Sequence, residues 1–267
     1  MGDSYTDALQ VEYDDTFCAG VQSYLRRAFA SKDLRTENYG VSGTGLFAYW
    51  HRILHDVLDS EPPNALVLCI NPGNDFTDFC PDDGFAADGT PLRDYFTAAT
   101  LRNHVNTWAV QHSALALYVY RKYKIYRASK PLQSTEGNGR TEPWWTRAEM
   151  AESVLGTRKV RNALSLVRAI VAECRQRDVQ CAILILGNTS YATDGSQSPI
   201  TEIFRKAGIQ CPILDVCHHM DSSAKQYAFP MDGHLNREGH RFVTSHAAPF
   251  LAGKLDFSPL CPQPPFP

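Results

Sequence analysis

Four short segments carry residue types that could perform chemistry together. They are Gly2-Asp3-Ser4, Val41-Ser42-Gly43, Gly73-Asn74-Asp75 and Asp232-Gly233-His234. Three of them lie at predicted strand ends, and parallel α/β sheets collect their ligands just beyond the carboxyl ends of strands. We therefore expect a hydroxyl, an imidazole, a carboxylate and an amide to meet at one edge of a sheet.

The combination predicts an acyl-transfer site. Ser4 is a weak nucleophile alone, and His234 is the base that could take its proton. Asp232 could hold the imidazole in the required tautomer and stabilise its protonated form. The oxyanion that forms needs preorganised donors. We expect them from the backbone N–H groups of Ser4 and Gly43 and from the side-chain amide of Asn74. This chemistry needs neither a metal nor another cofactor.

In this order, the segments resemble the blocks of the SGNH hydrolases, also called the GDSL esterase/lipase family. Gly2-Asp3-Ser4-Tyr5-Thr6 is similar to the first block, which carries the nucleophile, and Gly43 matches the glycine of the second. Gly73-Asn74-Asp75 is similar to the third block, whose Asn is an oxyanion donor, and Asp232 and His234 match the fifth. The resemblance implies a flavodoxin-like α/β/α fold, a serine esterase or acyl-transfer mechanism and no metal, but it does not fix a substrate.

One departure from the family concerns the spacing of Asp232 and His234. The family usually places its Asp three residues before the His, and here the separation is two. The shorter spacing is similar to that of polysaccharide O-acetyltransferases and acetyl esterases related to the family. We expect Asp232 to reach the Nδ1 side of the imidazole all the same.

Short apolar runs alternate with helical patterns along the chain. Runs at 65–71, 181–187 and 212–216 predict buried strands, and 34–39 is a weaker candidate. Continuous apolar strands are typical of a parallel sheet that is covered on both faces. Helical spacing of apolar residues predicts helices at 15–31, 44–59, 157–178, 199–208 and from Asn236 to about 252. The pattern predicts a doubly wound α/β sandwich, and we interpret residues 1–267 as a single SGNH-type domain.

Residues 76–156 do not fit a bare α/β unit. They contain a stretch rich in Gly, Asp and Pro, an aromatic helix candidate and a polar loop. We interpret them as an insertion after the strand at 65–71. Long insertions of this kind often form lids or substrate-specificity elements. A structural cap over the helical face is the open alternative.

The segment before Ser4 is too short for the strand that precedes the nucleophile in the related family. A missing central strand would leave neighbouring backbone groups unpaired, at a cost of about 1–3 kcal/mol for each buried group. We therefore expect this sequence to be a shortened version of a longer one whose upstream part carries the strand. Whether that part also holds an export or anchor segment is open, and so is the location of the protein.

The composition excludes several classes of function. The chain has 26 Lys and Arg against 29 Asp and Glu, a net charge of −3, which leaves no basic footprint for nucleic acid. It has 43% hydrophobic residues, enough for a sizeable core, but no apolar run of about 18 residues that would span a membrane. Met1 leads into Gly2-Asp3-Ser4 rather than into a signal peptide. Other forms of membrane association, the oligomeric state and disulfides among the eight cysteines stay open.

We therefore predict a serine hydrolase that cleaves a carboxylic ester through an acyl-enzyme, with a small-molecule or glycan ester as its substrate. An O-acetyl group on a carbohydrate is one candidate. The first alternative is a polysaccharide O-acetyltransferase, which shares the first half of the chemistry and is slightly favoured by the spacing of Asp232 and His234. The second is an inactive or truncated relative that binds a ligand or a partner.

Overall fold

A computed structural model shows a parallel sheet with helices on both sides. It describes residues 1–76, 84–93, 113, 115, 118–119, 157–187, 198–220, 224–230 and 233–257. In these residues the sheet has the order β1-β2-β3, with β1 at Ala65–Ile70, β2 at Gln180–Ile185 and β3 at Ile213–Asp215. Leu68 pairs with Ile183, and Ile185 pairs with Asp215. The three short apolar runs at 65–71, 181–187 and 212–216 therefore form the three strands.

Helices make up a large part of the remaining described chain. Their bounds are α1 Ser4–Asp7, α2 Phe17–Ala28, α3 Leu46–Arg52, α4 Arg158–Gln176, α5 Pro199–Lys206 and α6 Arg237–Lys254. A π-helical segment, Ile53–Leu58, continues α3 directly. Polar side chains cap the starts of the longer helices, as Thr157 does for α4 and Asn236 for α6. None of the helices in this part of the chain is both long and apolar enough to cross a bilayer.

The strands are buried on both faces, so the sheet is the middle one of three layers. Leu68 and Ile183 belong to a hydrophobic cluster with residues of α3, α4 and α5. The next residue on each strand, Cys69 or Leu184, belongs to a second cluster with residues of α2 and α6. Successive side chains of a strand point to opposite faces, so each continuous apolar run supplies both clusters. The predicted α/β class, with a parallel sheet in a three-layer arrangement, is confirmed.

Met1 and Gly2 lie beside β1, in the position of the strand that we expected to be missing. The amino group of Met1 donates to the carbonyl of Val67 (3.0 Å), and Cys69 N–H donates to the carbonyl of Met1 (2.8 Å). On its other side, Gly2 forms a parallel bridge with Gly40. These contacts place α1, which follows Gly2 and Asp3, near the carboxyl end of β1.

A groove of about 410 Å³ runs beside the outer edge of β1. Its lining includes Met1, Ala65 and Val67 together with apolar residues of α2 and α6 such as Leu25 and Leu255. The lining also includes Cys69, in the carboxyl-terminal half of β1, and Thr6 of α1.

The weaker strand candidate at 34–39 does not form a strand. Thr36 N–H donates to Gln22 Oε1 (2.8 Å), and Arg26 Nε–H donates to the carbonyl of Leu34 (2.7 Å). Side chains of α2 therefore satisfy backbone groups that a strand would use for pairing. The prediction for this segment was wrong because these side-chain contacts compete with a sheet ladder.

Most of the predicted insertion at 76–156 lies outside the described residues. The longest described stretch within it is 84–93. Trp50 Nε1–H, on α3, donates to the carbonyl of Leu92 (3.3 Å), so this stretch packs against α3. The interpretation of the whole region as a lid or specificity element stays a prediction.

Candidate active site

Ser4 begins α1 immediately after the two residues that pair with β1. Asp3 caps this helix: its Oδ1 accepts from Tyr5 N–H (2.9 Å) and its carbonyl accepts from Asp7 N–H (2.9 Å). Aspartate is among the residues that best stabilise a helix start, so the local sequence turns the chain from strand to helix at Ser4. The hydroxyl of Ser4 therefore lies at the end of the sheet where sites in parallel sheets form.

His234 lies against Ser4, although 230 residues separate them in sequence. The distance from His234 Nε2 to Ser4 Oγ is 2.6 Å, which is within the range of a hydrogen bond between an imidazole and a hydroxyl. Both residues are partly buried. The structure therefore brings together the predicted nucleophile and the predicted base, with the ring nitrogen placed to accept the hydroxyl proton.

A tight turn presents His234. Phe229 N–H donates to the carbonyl of His234 (2.8 Å), and Gly233 N–H donates to the carbonyl of Phe229 (2.8 Å). Gly233 has a φ of +75°, in the left-handed region that glycine adopts without strain. Just beyond the turn, Asn236 caps α6 by accepting from Gly239 N–H (3.0 Å). The histidine is thus held between a closed turn and the start of a long helix.

Asp232, the predicted third member of the triad, lies outside the described residues. Its contact with the imidazole is therefore still a prediction from the sequence. The next two residues, Gly233 and His234, are described.

Asn74 lies next to the cap of α1. Its side-chain Nδ2 donates to Asp3 Oδ2 (3.1 Å). The loop after β1 that carries Asn74 is held by Asp75, whose carboxylate accepts from Asn71 N–H (2.8 Å) and from the hydroxyl of Tyr49 (2.8 Å). An amide nitrogen carries two N–H groups, so the contact with Asp3 also fixes the direction of the second. The predicted oxyanion amide is thus linked to α1 through one carboxylate.

The buried carboxylate of Asp3 connects α1 to the loop of Asn74. Only 1% of Asp3 is exposed. Burial raises its pKa, while hydrogen bonds from Asn74 and Tyr5 and the charge of His234 act in the opposite direction. A buried carboxylate with hydrogen-bond donors on both oxygens is a rigid link. Asp3 therefore sets the position of Ser4 relative to Asn74.

Gly43 lies in a loop that is tied to both ends of α1. At one end, Gly2 bridges to Gly40. At the other, Ser42 donates to Asp7 Oδ2 through both its N–H (3.0 Å) and its hydroxyl (2.9 Å). Gly43 has a φ of +78°, and a Cβ built on it would meet no atom within 4 Å. An exposed backbone in the left-handed region explains the glycine.

Three residues that organise the site were not assigned a role from the sequence. Asp3 links Ser4 to Asn74, Asp7 holds the loop of Gly43, and Tyr5 donates through its hydroxyl to the carbonyl of Gly233 (3.0 Å). The signal for Asp3 was available, because an Asp before a short polar turn is a typical helix cap. The roles of Asp7 and Tyr5 depend on partners distant in sequence, which no local pattern indicates.

Within the described residues, no group of three or more His, Cys, Asp or Glu side chains is arranged to hold a metal ion. His240, in the helix after His234, serves packing: its Nδ1 accepts from Phe17 N–H (3.3 Å), and its ring stacks on that of Phe17 at 5.9 Å.

No protein-family model matches this chain, and no curated protein matches it. A two-domain esterase active on acetylated mannans, crystallised with mannopentaose, matches with a TM-score of 0.44 and 13% identity, over 100% of this chain and 50% of that one. The chain thus spans about half the length of that esterase. An α/β hydrolase from the metagenome of Lake Arreo, Spain, matches with a TM-score of 0.46 and 15% identity, over 96% of this chain and 94% of that one.

Proposed function

We propose that this chain is a serine esterase that cleaves carboxylic esters through an acyl-enzyme. The observation that carries the proposal is the 2.6 Å contact between Ser4 Oγ and His234 Nε2. A serine hydroxyl is a poor nucleophile until a neighbouring base accepts its proton. Two further contacts support the proposal: the Asn74 amide donates to Asp3, the residue before Ser4 (3.1 Å), and Ser42, the residue before Gly43, donates to Asp7 of α1 (3.0 Å).

In the first half of the reaction, Ser4 Oγ attacks the ester carbonyl carbon while its proton moves to His234 Nε2. The carbonyl oxygen becomes an oxyanion, for which we propose three donors: the N–H groups of Ser4 and Gly43 and the amide of Asn74. Within the described chain, no residue accepts from either of these backbone N–H groups. The tetrahedral intermediate collapses when the alkoxide leaves with the proton from His234, and Ser4 keeps the acyl group.

In the second half, water attacks the acyl-enzyme. His234 takes a proton from the water and returns it to Ser4 Oγ as the carboxylic acid leaves. We assign to Asp232 the task of holding the imidazole in the tautomer with its proton on Nδ1. A sugar hydroxyl in place of water would turn the same acyl-enzyme into a transferase.

The experiment compares turnover of p-nitrophenyl acetate by the wild-type chain and two serine variants. Ser4→Ala should lower kcat by about a thousandfold or more, because it removes the atom that forms the acyl-enzyme. Ser23→Ala is the matched control, since Ser23 is exposed on α2 and contacts Arg27. Both variants should keep the circular dichroism spectrum of the wild type. Equal turnover by Ser4→Ala and Ser23→Ala would refute the proposal.

The same assay distinguishes hydrolysis from transfer. The proposal predicts release of acetate at the rate of p-nitrophenol, both with and without added oligosaccharide. Release of p-nitrophenol with acetyl groups recovered on the sugar instead of as acetate would show a transferase. A folded wild-type chain without Ser4-dependent turnover of any acyl ester would favour a binding protein.

A further inference from the structure

Tyr5 connects the helix of the nucleophile to the turn of the base. Its hydroxyl donates to the carbonyl of Gly233 (3.0 Å), across 228 residues of sequence. Its ring lies 5.1 Å from the ring of His234, centroid to centroid, with 37° between the planes. Tyr5 is only 9% exposed. One buried side chain therefore contacts His234 and the residue before it.

Tyr5 contacts the peptide group before His234 and the imidazole ring itself, and these two groups set the direction of the ring. The carbonyl of Gly233 belongs to the peptide group that joins Gly233 to His234. This group is planar and rigid, so a hydrogen bond to its oxygen fixes the backbone from which the imidazole projects. The contact between the rings of Tyr5 and His234 restricts the rotation of the His234 side chain. Backbone hydrogen bonds with Phe229 close the turn, but they do not tie it to α1.

Ser4 and Tyr5 are neighbours on α1, and Gly233 and His234 are neighbours on the turn. Two contacts therefore run side by side between the same two elements: Ser4 Oγ to His234 Nε2 at 2.6 Å, and Tyr5 hydroxyl to Gly233 carbonyl at 3.0 Å. Tyr5 N–H is itself held by Asp3 Oδ1 (2.9 Å). The second contact thus starts from a fixed backbone and keeps the turn at a fixed distance from the helix.

We propose that Tyr5 is a positioning residue that holds His234 against Ser4. The inference rests on the proposed function for the identity of the reacting pair. Tyr5 itself takes no part in proton transfer. Its effect is preorganisation, and misplacing a reacting group by about 1 Å can cost up to about a hundredfold in rate. Local sequence gives no indication of this role, because it exists only when the two ends of the chain meet.

Tyr5→Phe tests the proposal because it keeps the ring and removes the hydroxyl. Tyr39→Phe is the matched control: the hydroxyl of Tyr39 donates to Glu37 (3.0 Å) in an exposed contact. The first measurement is independent of catalysis and uses NMR. In Tyr5→Phe, amide hydrogen exchange at Phe229 and Gly233 should speed up about fivefold, and the ring proton signals of His234 should shift and broaden. Tyr39→Phe should leave both unchanged.

The second measurement is the split between kcat and KM for p-nitrophenyl acetate. Tyr5→Phe should lower kcat about tenfold and leave KM unchanged, because only the alignment of the pair is lost. Tyr39→Phe should leave both values unchanged. Wild-type exchange rates and His234 signals in Tyr5→Phe would overturn the proposal. Failure of the proposed function is a separate result, namely a wild type without Ser4-dependent turnover, and the NMR data would still decide the role of Tyr5.

Discussion

Asp215 and His240 should make the free energy of unfolding depend on pH in opposite directions. Asp215 ends β3, is 5% exposed, and accepts from His218 N–H (3.2 Å) and from the hydroxyl of Ser198. Burial raises the pKa of Asp215 to about 7. His240 lies on α6 with 1% exposed, and burial lowers the pKa of its imidazole to about 4. Neither side chain belongs to the proposed catalytic group.

The direction of each pH dependence follows from whether the folded or the unfolded chain binds the proton more tightly. The ordinary carboxyl pKa is 3.8, so between that value and about 7 the folded chain keeps a proton on Asp215 that the unfolded chain releases. The contribution of Asp215 to stability is present below the unfolded pKa and is lost as the pH rises through this window, in total about 4 kcal/mol.

For His240 the order is reversed. The unfolded chain takes up a proton near the ordinary pKa of 6.5, whereas the folded chain does so only near 4. The contribution of His240 is therefore present above the unfolded pKa and is lost as the pH falls to the folded one, in total about 3 kcal/mol. Between about pH 4 and pH 6.5 the two contributions should nearly cancel in the wild type.

Urea unfolding at several pH values separates the two contributions. Asp215→Asn keeps an oxygen for His218 N–H but removes the titration, and His240→Asn keeps an acceptor for Phe17 N–H. Going from about pH 4 to about pH 6.5, the difference in unfolding free energy between Asp215→Asn and the wild type should rise by about 3 kcal/mol. For His240→Asn the same difference should fall by a similar amount. Differences that stay constant with pH would refute the burial argument for both groups.

The site and its loops carry further predictions. Gly40→Ala should cost more than about 2 kcal/mol of stability, because its Cβ would lie 2.2 Å from Asp7 N. The Cβ of Gly43→Ala would meet no atom within 4 Å, so this variant should lose only about 1 kcal/mol, for its backbone conformation. Equal losses of the two variants in thermal unfolding would contradict this reasoning. Asn74→Ala should lower kcat for p-nitrophenyl acetate about 10²–10³-fold at unchanged fold, and a loss below about threefold would exclude it as an oxyanion donor. Asp3→Ala should cost about 1 kcal/mol of stability as a lost helix cap. It should also lower kcat, because the contact between Asn74 and α1 through Asp3 is removed. Wild-type kcat in this variant would show that this contact is dispensable.

The layered fold could be predicted because its signals are local. The strands β1 and β2 appear in the sequence as continuous apolar runs, because both of their faces are buried. Asn236 marks the start of α6 because a cap is a contact within one turn. The segment 34–39 was misassigned, since its backbone partners are side chains of α2 that no pattern within the segment indicates.

The residue types of the candidate site could be predicted from the sequence, but the contacts that position these residues could not. Ser4 and His234 could be paired from the chemistry that they share, and the structure places them 2.6 Å apart. The link from Asp3 to Asn74 and the contact from Tyr5 to Gly233 each join elements more than 70 residues apart, at separations of 71 and 228. Such contacts depend on how the strand ends are placed in space.

The most direct test of the proposed reacting pair is to identify the residue that a fluorophosphonate modifies. Such reagents bond to a serine only when a neighbouring base activates its hydroxyl. Digestion of the labelled chain and mass spectrometry of the peptides should place one adduct on Ser4, and His234→Ala should abolish it. An adduct on another serine, or labelling of Ser4 at the same rate without His234, would contradict the claim that these two side chains form the reacting pair.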